Sequence, residues 1–123
     1  MNWTLEVVIV PVSDVDRALT FYTEKVGFDV DHDRSFSETM RIVQLTPPGS
    51  GCSIVIGSGL SDAQPGSFQG LQLAVSDIEA AHAELVGRGI EVSDVQRFEW
   101  GSFVFFDDPD GNGWAVQQVT VPA

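Results

Sequence analysis

A single cysteine, Cys52, leaves this chain without an internal disulfide or a thiolate-based zinc site. Bases are scarce too: six Lys and Arg stand against 18 Asp and Glu in 123 residues, a formal charge of −12. Such a chain lacks the cationic face that nucleic-acid binding requires. It is equally unsuited to anionic membrane surfaces. The acidity is compatible with cationic small ligands, and also with solubility alone. No apolar run approaches the ~20 residues needed to span a bilayer. The opening Met1-Asn2-Trp3-Thr4-Leu5-Glu6 has no basic region followed by an apolar stretch. No signal peptide is therefore expected, and a cytoplasmic protein is the default. At 43% hydrophobic residues, the chain can bury a core.

What the chain does contain is a repetition. Val12-Ser13-Asp14-Val15-Asp16 recurs as Val75-Ser76-Asp77-Ile78-Glu79, and Ala18 maps to Ala81 at the same offset. Gly27 and Val30 map to Gly89 and Val92 after a slip of one residue. In each copy an apolar run precedes a helix opener, a helix, a glycine and another strand-like run. A duplicated supersecondary unit predicts two similar halves that bury each other's apolar surfaces.

Leu5 to Val12 reads as a strand, and Ser13 or Asp14 caps the helix that follows. Val15, Ala18, Leu19, Tyr22 and Val26 recur at spacings of three and four, which predicts one amphipathic helix ended by Gly27. Strands are predicted over Phe28 to Asp33, Thr39 to Thr46 and Ser53 to Gly57. The turn cluster Pro47-Pro48-Gly49-Ser50-Gly51 separates the last two. The Gly-, Ser- and Pro-rich stretch that follows reads as a linker, giving module one 1–57, linker 58–69 and module two 70–123. The second module repeats the order: strand Leu71 to Val75, cap Ser76 or Asp77, helix Ile78 to Gly87. Strands near Ile90 to Val95, over Gly101 to Phe106 and over Trp114 to Val119 complete it. The fold class is α+β, two tandem βαβββ modules making up one domain.

Val12-Ser13-Asp14-Val15-Asp16-Arg17-Ala18 with Phe21-Tyr22 and Val26-Gly27-Phe28, then Val75-Ser76-Asp77-Ile78, lead to a late Asp108-Pro109-Asp110-Gly111-Asn112 before Trp114. In this register the chain resembles the vicinal oxygen chelate superfamily, which contains glyoxalase I, the bleomycin-resistance proteins and the extradiol dioxygenases. The resemblance covers essentially the whole chain. It implies a U-shaped mixed sheet with helices on the outside, a cavity between the modules and, often, a homodimer. In the metal-using members it implies a divalent ion held by four His or Glu side chains from the first and last strands of each module.

Those four positions fall on Val7, Val55, Gly70 and Ala115. None offers the oxygen or imidazole donor that a hard divalent ion requires. His32 stands between Asp31 and Asp33, and His82 lies on the second helix, so neither belongs to the expected quartet. The expected protein thus belongs to a metal-less branch, with no metal and no cofactor.

Strand alternation places Val7, Ser53, Val55, Gly70, Gln72, Ala115 and Gln117 on the inner surface. Gln44 or Arg41 joins them from the third strand, whose parity stays open. Gln72 and Gln117 either orient a ligand or bond each other. Phe103 and Phe105 share one face, Val104 and Phe106 the other; core packing is the expected role for all four, with ligand contact as the alternative. Trp100 lies at a strand entry where a ring can stack on a ligand. Glu99 is a weak candidate general base, with solvent exposure as the alternative.

The function expected is binding of an apolar or aromatic small molecule in a metal-free cavity between the modules. The alternative is a metal-independent lyase or isomerase, and a metal-dependent lyase or dioxygenase ranks below both. Whether the protein is an enzyme stays open.

Overall fold

The computed structural model describes residues 1–119. Two tandem βαβββ modules form two four-stranded mixed sheets. The first contains β1 (Val7–Ile9), β2 (Asp29–Ser35), β3 (Arg41–Thr46) and β4 (Ser53–Ser58), in the order β1-β4-β3-β2. The second contains β5 (Leu71–Ala74), β6 (Gln96–Phe98), β7 (Gly101–Asp107) and β8 (Gly113–Val119), in the order β5-β8-β7-β6. In each sheet the first strand runs parallel to the last and the other pairs are antiparallel. A parallel first pair requires a crossover, which each module supplies as a helix.

The helices are α1 (Val15–Thr20) and α2 (Ile78–Gly87). Of the two candidate caps, the aspartate acts in both modules. Asp14 accepts from the Arg17 N–H and Asp77 from the Ala80 N–H, each at 3.1 Å. Ser13 instead binds Asp110 of the second module, through its N–H at 3.1 Å and its hydroxyl at 2.5 Å.

The single helix expected through Val26 is in fact two. After Thr20 the chain widens into a π-helical segment, Phe21–Val26, that closes on the left-handed Gly27. In a regular α-helix neighbouring side chains point about 100° apart. The wider turn lets Phe21 and Tyr22 both enter the core.

Several strands depart from the expected bounds, β3 beginning only at Arg41. β1 is short: its pairing with β4 runs from Val7 to Ile9, and the last bond comes from the Val10 N–H to the Val55 carbonyl at 2.9 Å. β2 runs on to Ser35 as a paired edge strand. The expected strand near 90–95 begins later, at Gln96. Ser93 accounts for the delay: its N–H bonds the Phe105 carbonyl, but its hydroxyl, not its carbonyl, accepts from the Phe105 N–H, both at 2.9 Å. Ile90, Val92 and Val95 still pack on the core.

The helix-facing sides of both sheets share that core. Val10, Val43, Leu45, Ile54 and Ile56 of the first module meet Val104, Phe106, Trp114 and Val116 of the second, with Ala18, Phe21, Tyr22, Ile78 and Leu85 from the helical segments. Tyr22 stacks on Phe28 at 5.7 Å and meets Trp114 edge-on at 5.8 Å, so one ring bridges the modules. No described helix is long and apolar enough to cross a membrane.

Beneath the aromatic cluster lies a polar latch built from the Asp-Pro-Asp-Gly-Asn turn. The buried Asp108 carboxylate accepts from the Asp110 and Asn112 N–H groups at 2.9 Å, from the Asn112 amide at 2.8 Å and from the Tyr22 hydroxyl at 2.7 Å. The Asn112 amide also donates to the Pro11 carbonyl at 2.8 Å, and its oxygen accepts from the Phe68 N–H at 3.1 Å. The Trp114 indole donates to the Tyr22 hydroxyl at 3.0 Å. Burial first, and the neighbouring Asp108 carboxylate second, push the Tyr22 phenol above its ordinary range, so it acts as a permanent donor. Every buried polar side-chain atom described has a partner. The latch joins both modules to the connecting stretch, where Gly66 allows an approach no side chain permits. A Cβ there would lie 2.1 Å from the Asp110 carbonyl oxygen.

Candidate functional site: the open faces of the two sheets

With one side of each sheet committed to the core, the opposite sides are the open faces. Ladder pairing shows which residues share them. Across the first sheet, Ile9, Val55, Gln44 and His32 form one row. Val7, Ser53 and Thr46 form the next, and Ile42 and Arg34 lie in a third. Across the second sheet, Gln72, Ala115 and Phe105 form one row, and Ala74, Gln117, Phe103 and Gln96 the next. Phe98, Gly101 and Val119 form the last. Because both core sides face the same interior, each open face points away from it. One chain alone therefore does not close the trough expected between the modules.

The third strand now has a definite parity. Gln44 is on the open face, whereas Arg41 turns to the core side. It forms a fork with Asp33 at 2.9 and 3.0 Å and reaches Asp16 on α1 at 2.7 Å. Its hydrogen bonds hold the Asp33 carboxyl below the usual carboxylate range, and the two aspartates raise Arg41 above its own.

The open face of the second sheet is an aromatic wall. Trp100 stacks on Phe98 at 5.0 Å with the planes 10° apart. Phe98 meets Phe103 edge-on at 5.9 Å, and Phe103 stacks on Phe105 at 5.9 Å. Trp100 is 62% exposed, Phe98 44% and Phe105 41%. Three exposed rings joined through a half-buried fourth, Phe103, are unusual, because large apolar side chains are ordinarily buried or scattered singly. Core packing holds for Val104 and Phe106, which sit on the other side of β7. Gly101 lets Trp100 turn onto this face: a Cβ would stand 2.8 Å from the Gln118 carbonyl oxygen and the Gln117 amide. Gln72 donates to Gln117, so the two amides bond each other. The Gln117 amide nitrogen also lies 3.5 Å from the Trp100 carbonyl oxygen. Glu99 is exposed in the turn between β6 and β7 and has no hydrogen bond among the described residues.

The first sheet's open face is more polar. Thr46 donates to Asp31, which leaves Ser53 to donate to Thr46 across 2.6 Å. His32, Arg34, Phe36 and Ile42 line a depression of about 310 Å³. Sequence reasoning missed Arg34 and Phe36 and placed His32 only outside the expected metal quartet. A bulge between Val30 and His32 is the reason. It inserts Asp31 as an extra residue, so Val30 pairs on the core side with Leu45 and His32 on the open side with Gln44. Simple alternation puts Val30 and His32 on one face.

Val7 and Val55 lie on the open face of the first sheet, Ala115 on that of the second, and Gly70 just before β5. A metal ion does not fit these positions: they present two isopropyl groups, a methyl and a hydrogen. Among the described residues no three His, Cys, Asp or Glu side chains cluster as a metal site.

Comparison with known proteins agrees with this architecture. The model of the Glyoxalase/Bleomycin resistance protein/Dioxygenase superfamily matches residues 4–116. The uncharacterised protein YetH of Bacillus subtilis (strain 168) is 28% identical over 113 residues, 90% of this chain and 94% of that protein. TnmS3, an antibiotic-binding protein from Streptomyces sp. CB03234, superimposes with a TM-score of 0.88 at 35% identity, over 97% of this chain and 98% of that one. A glyoxalase/bleomycin resistance protein from the same Streptomyces strain gives 0.82 at 36% identity, over 94% and 100%. The chain belongs to the glyoxalase/bleomycin resistance protein/dioxygenase superfamily.

Proposed function

We propose that this protein binds a planar aromatic or largely apolar small molecule, without a metal ion, against the wall formed by Trp100, Phe98, Phe103 and Phe105. The observation that carries this reading is the exposure of that stack. Rings left half in water gain stability when a flat ligand covers them. The similarity to an antibiotic-binding protein supports it. Gln72 and Gln117, already paired, present their remaining amide groups to the ligand, and Gln44 and Ser53 do so from the first sheet. Val7, Val55, Gly70 and Ala115 form an apolar floor where other family members hold an ion. Sequestration of a toxic compound in the cytoplasm is a role that fits.

In this reading a second copy completes the site. Each chain offers one polar open face and one aromatic open face. A two-fold axis brings the first face of one copy to the second face of the other, twice, and leaves neither unmatched. The homodimer then holds two equivalent cavities.

The test is a thermal-shift screen against planar aromatic antibiotics and quinones, with and without EDTA. A hit is expected to raise the melting temperature equally in both conditions and to lose its effect on Trp100→Ala. Dependence on a transition metal, or hits indifferent to Trp100, contradicts the proposal.

A second reading, metal-independent proton transfer of the lyase or isomerase kind, draws on Asp31 and His32 on the open face, with Glu99 in the adjoining turn of the wall. It predicts exchange of a ligand C–H with solvent deuterium, abolished by His32→Gln or Asp31→Asn.

A further inference from the structure

The arginines of this chain are almost all engaged with carboxylates. Arg17 binds Asp110, Arg41 binds Asp33 and Asp16, Arg88 binds Glu84, and Arg97 binds Glu79. Arg34 is the exception: among the described residues its guanidinium has neither an ion pair nor a hydrogen bond, although acids outnumber bases threefold in the sequence. It lies on the open face, where it lines one depression with His32, Phe36 and Ile42. Its nearest acidic neighbour in sequence, Asp33, is on the core side and held by Arg41. Asp31, on the open side, is engaged by Thr46. Arg34 thus makes a small cationic spot on an acidic molecule. It sits on β2, the edge of the first sheet farthest from β1, while Phe98 and Trp100 occupy the equivalent far edge of the second sheet. If the two copies meet with β1 of one beside β5 of the other, these two far edges face each other across the mouth of the cavity.

We infer that Arg34, aided by His32, is the subsite for an anionic oxygen group (a carboxylate or sulfonate) carried by the aromatic ligand. The inference rests on the reading of the aromatic wall as a binding surface. A guanidinium presents two parallel N–H groups that match such oxygens in a fork.

The experiment uses two fluorescent probes of nearly the same shape. One is 1-anilinonaphthalene-8-sulfonate; the other, N-phenyl-1-naphthylamine, lacks the sulfonate. Both are titrated into the wild-type protein and into Arg34→Gln, Arg34→Lys, Lys25→Gln and Trp100→Ala. Arg34→Gln should weaken the sulfonate probe about tenfold and leave the neutral probe within about twofold, as expected for one charge-assisted contact. Arg34→Lys should recover part of the loss. Lys25→Gln removes the same charge away from the site and should change neither. Trp100→Ala should weaken both probes. If Arg34→Gln affects the two probes alike, or the sulfonate no more than Lys25→Gln does, the subsite is wrong while the wall stands. If neither probe saturates the wild type, or Trp100→Ala changes neither, the wall and the subsite fall together.

Discussion

The two modules share one plan on their core sides and differ on their open ones. On the core side both place aliphatic residues of the inner strands against a capped helix, Val43, Leu45, Ile54 and Ile56 in one and Val104, Phe106 and Val116 in the other. On the open side the far edge of the first module carries His32 and Arg34, and that of the second carries Phe98 and Trp100. The repeated scaffold is thus set by burial, which constrains both copies in the same way. The open faces escape that constraint and hold different chemistry, as the proposed pairing of the two faces in one binding space requires.

The comparison can be broken first on the core side. Asn112→Ala removes bonds to Asp108, to the Pro11 carbonyl and to the Phe68 N–H at once, and leaves buried groups unmatched. It should cost about 3 kcal/mol in urea unfolding with an unchanged denaturant slope. Tyr22→Phe removes only the hydroxyl and should cost about 2 kcal/mol. A loss below ~0.5 kcal/mol in both would mean that the latch does not join the modules.

Open-face changes should show the reverse pattern. Trp100→Ala is expected to alter stability by no more than about 0.5 kcal/mol, yet to weaken an aromatic ligand by at least ~1 kcal/mol. Equal losses in both measurements would make Trp100 part of the core.

The smallest effect concerns the exposed fork between Arg41 and Asp33. Asp33→Asn should cost less than about 1 kcal/mol at pH 7, because solvent screens such pairs. The folded protein holds the Asp33 carboxyl below its ordinary value of 3.8. The fork's contribution is therefore present above that value and lost as pH falls through the lowered one. Variant and wild type should converge in acid unfolding below that value. A gap that persists there has another origin.

Much of the fold was legible because the repeat, the capping aspartates and the alternation of β4, β5 and β8 all follow local rules. The aromatic wall was legible in part: alternation paired Phe103 with Phe105, and its place at a strand entry singled out Trp100, but nothing showed their stacking with Phe98. What could not be read depends on departures from regular periodicity. The π-helical turn admits two consecutive rings to the core, and the bulge at Asp31 reverses the parity of β2. Ser93 delays β6 by lending a hydroxyl to the ladder. The direction of the open faces depends on how the modules pack, which no local pattern records.

The most direct test of the central claim follows the tryptophan indole N–H signals of 15N-labelled protein as an aromatic ligand is added. Trp100 lies on the proposed binding wall, whereas Trp114 is buried and bonded to Tyr22. The account predicts that the Trp100 signal moves to a saturating endpoint while Trp114 stays in place. A shift of Trp114 with Trp100 unmoved would put the ligand in the core between the modules and contradict the account.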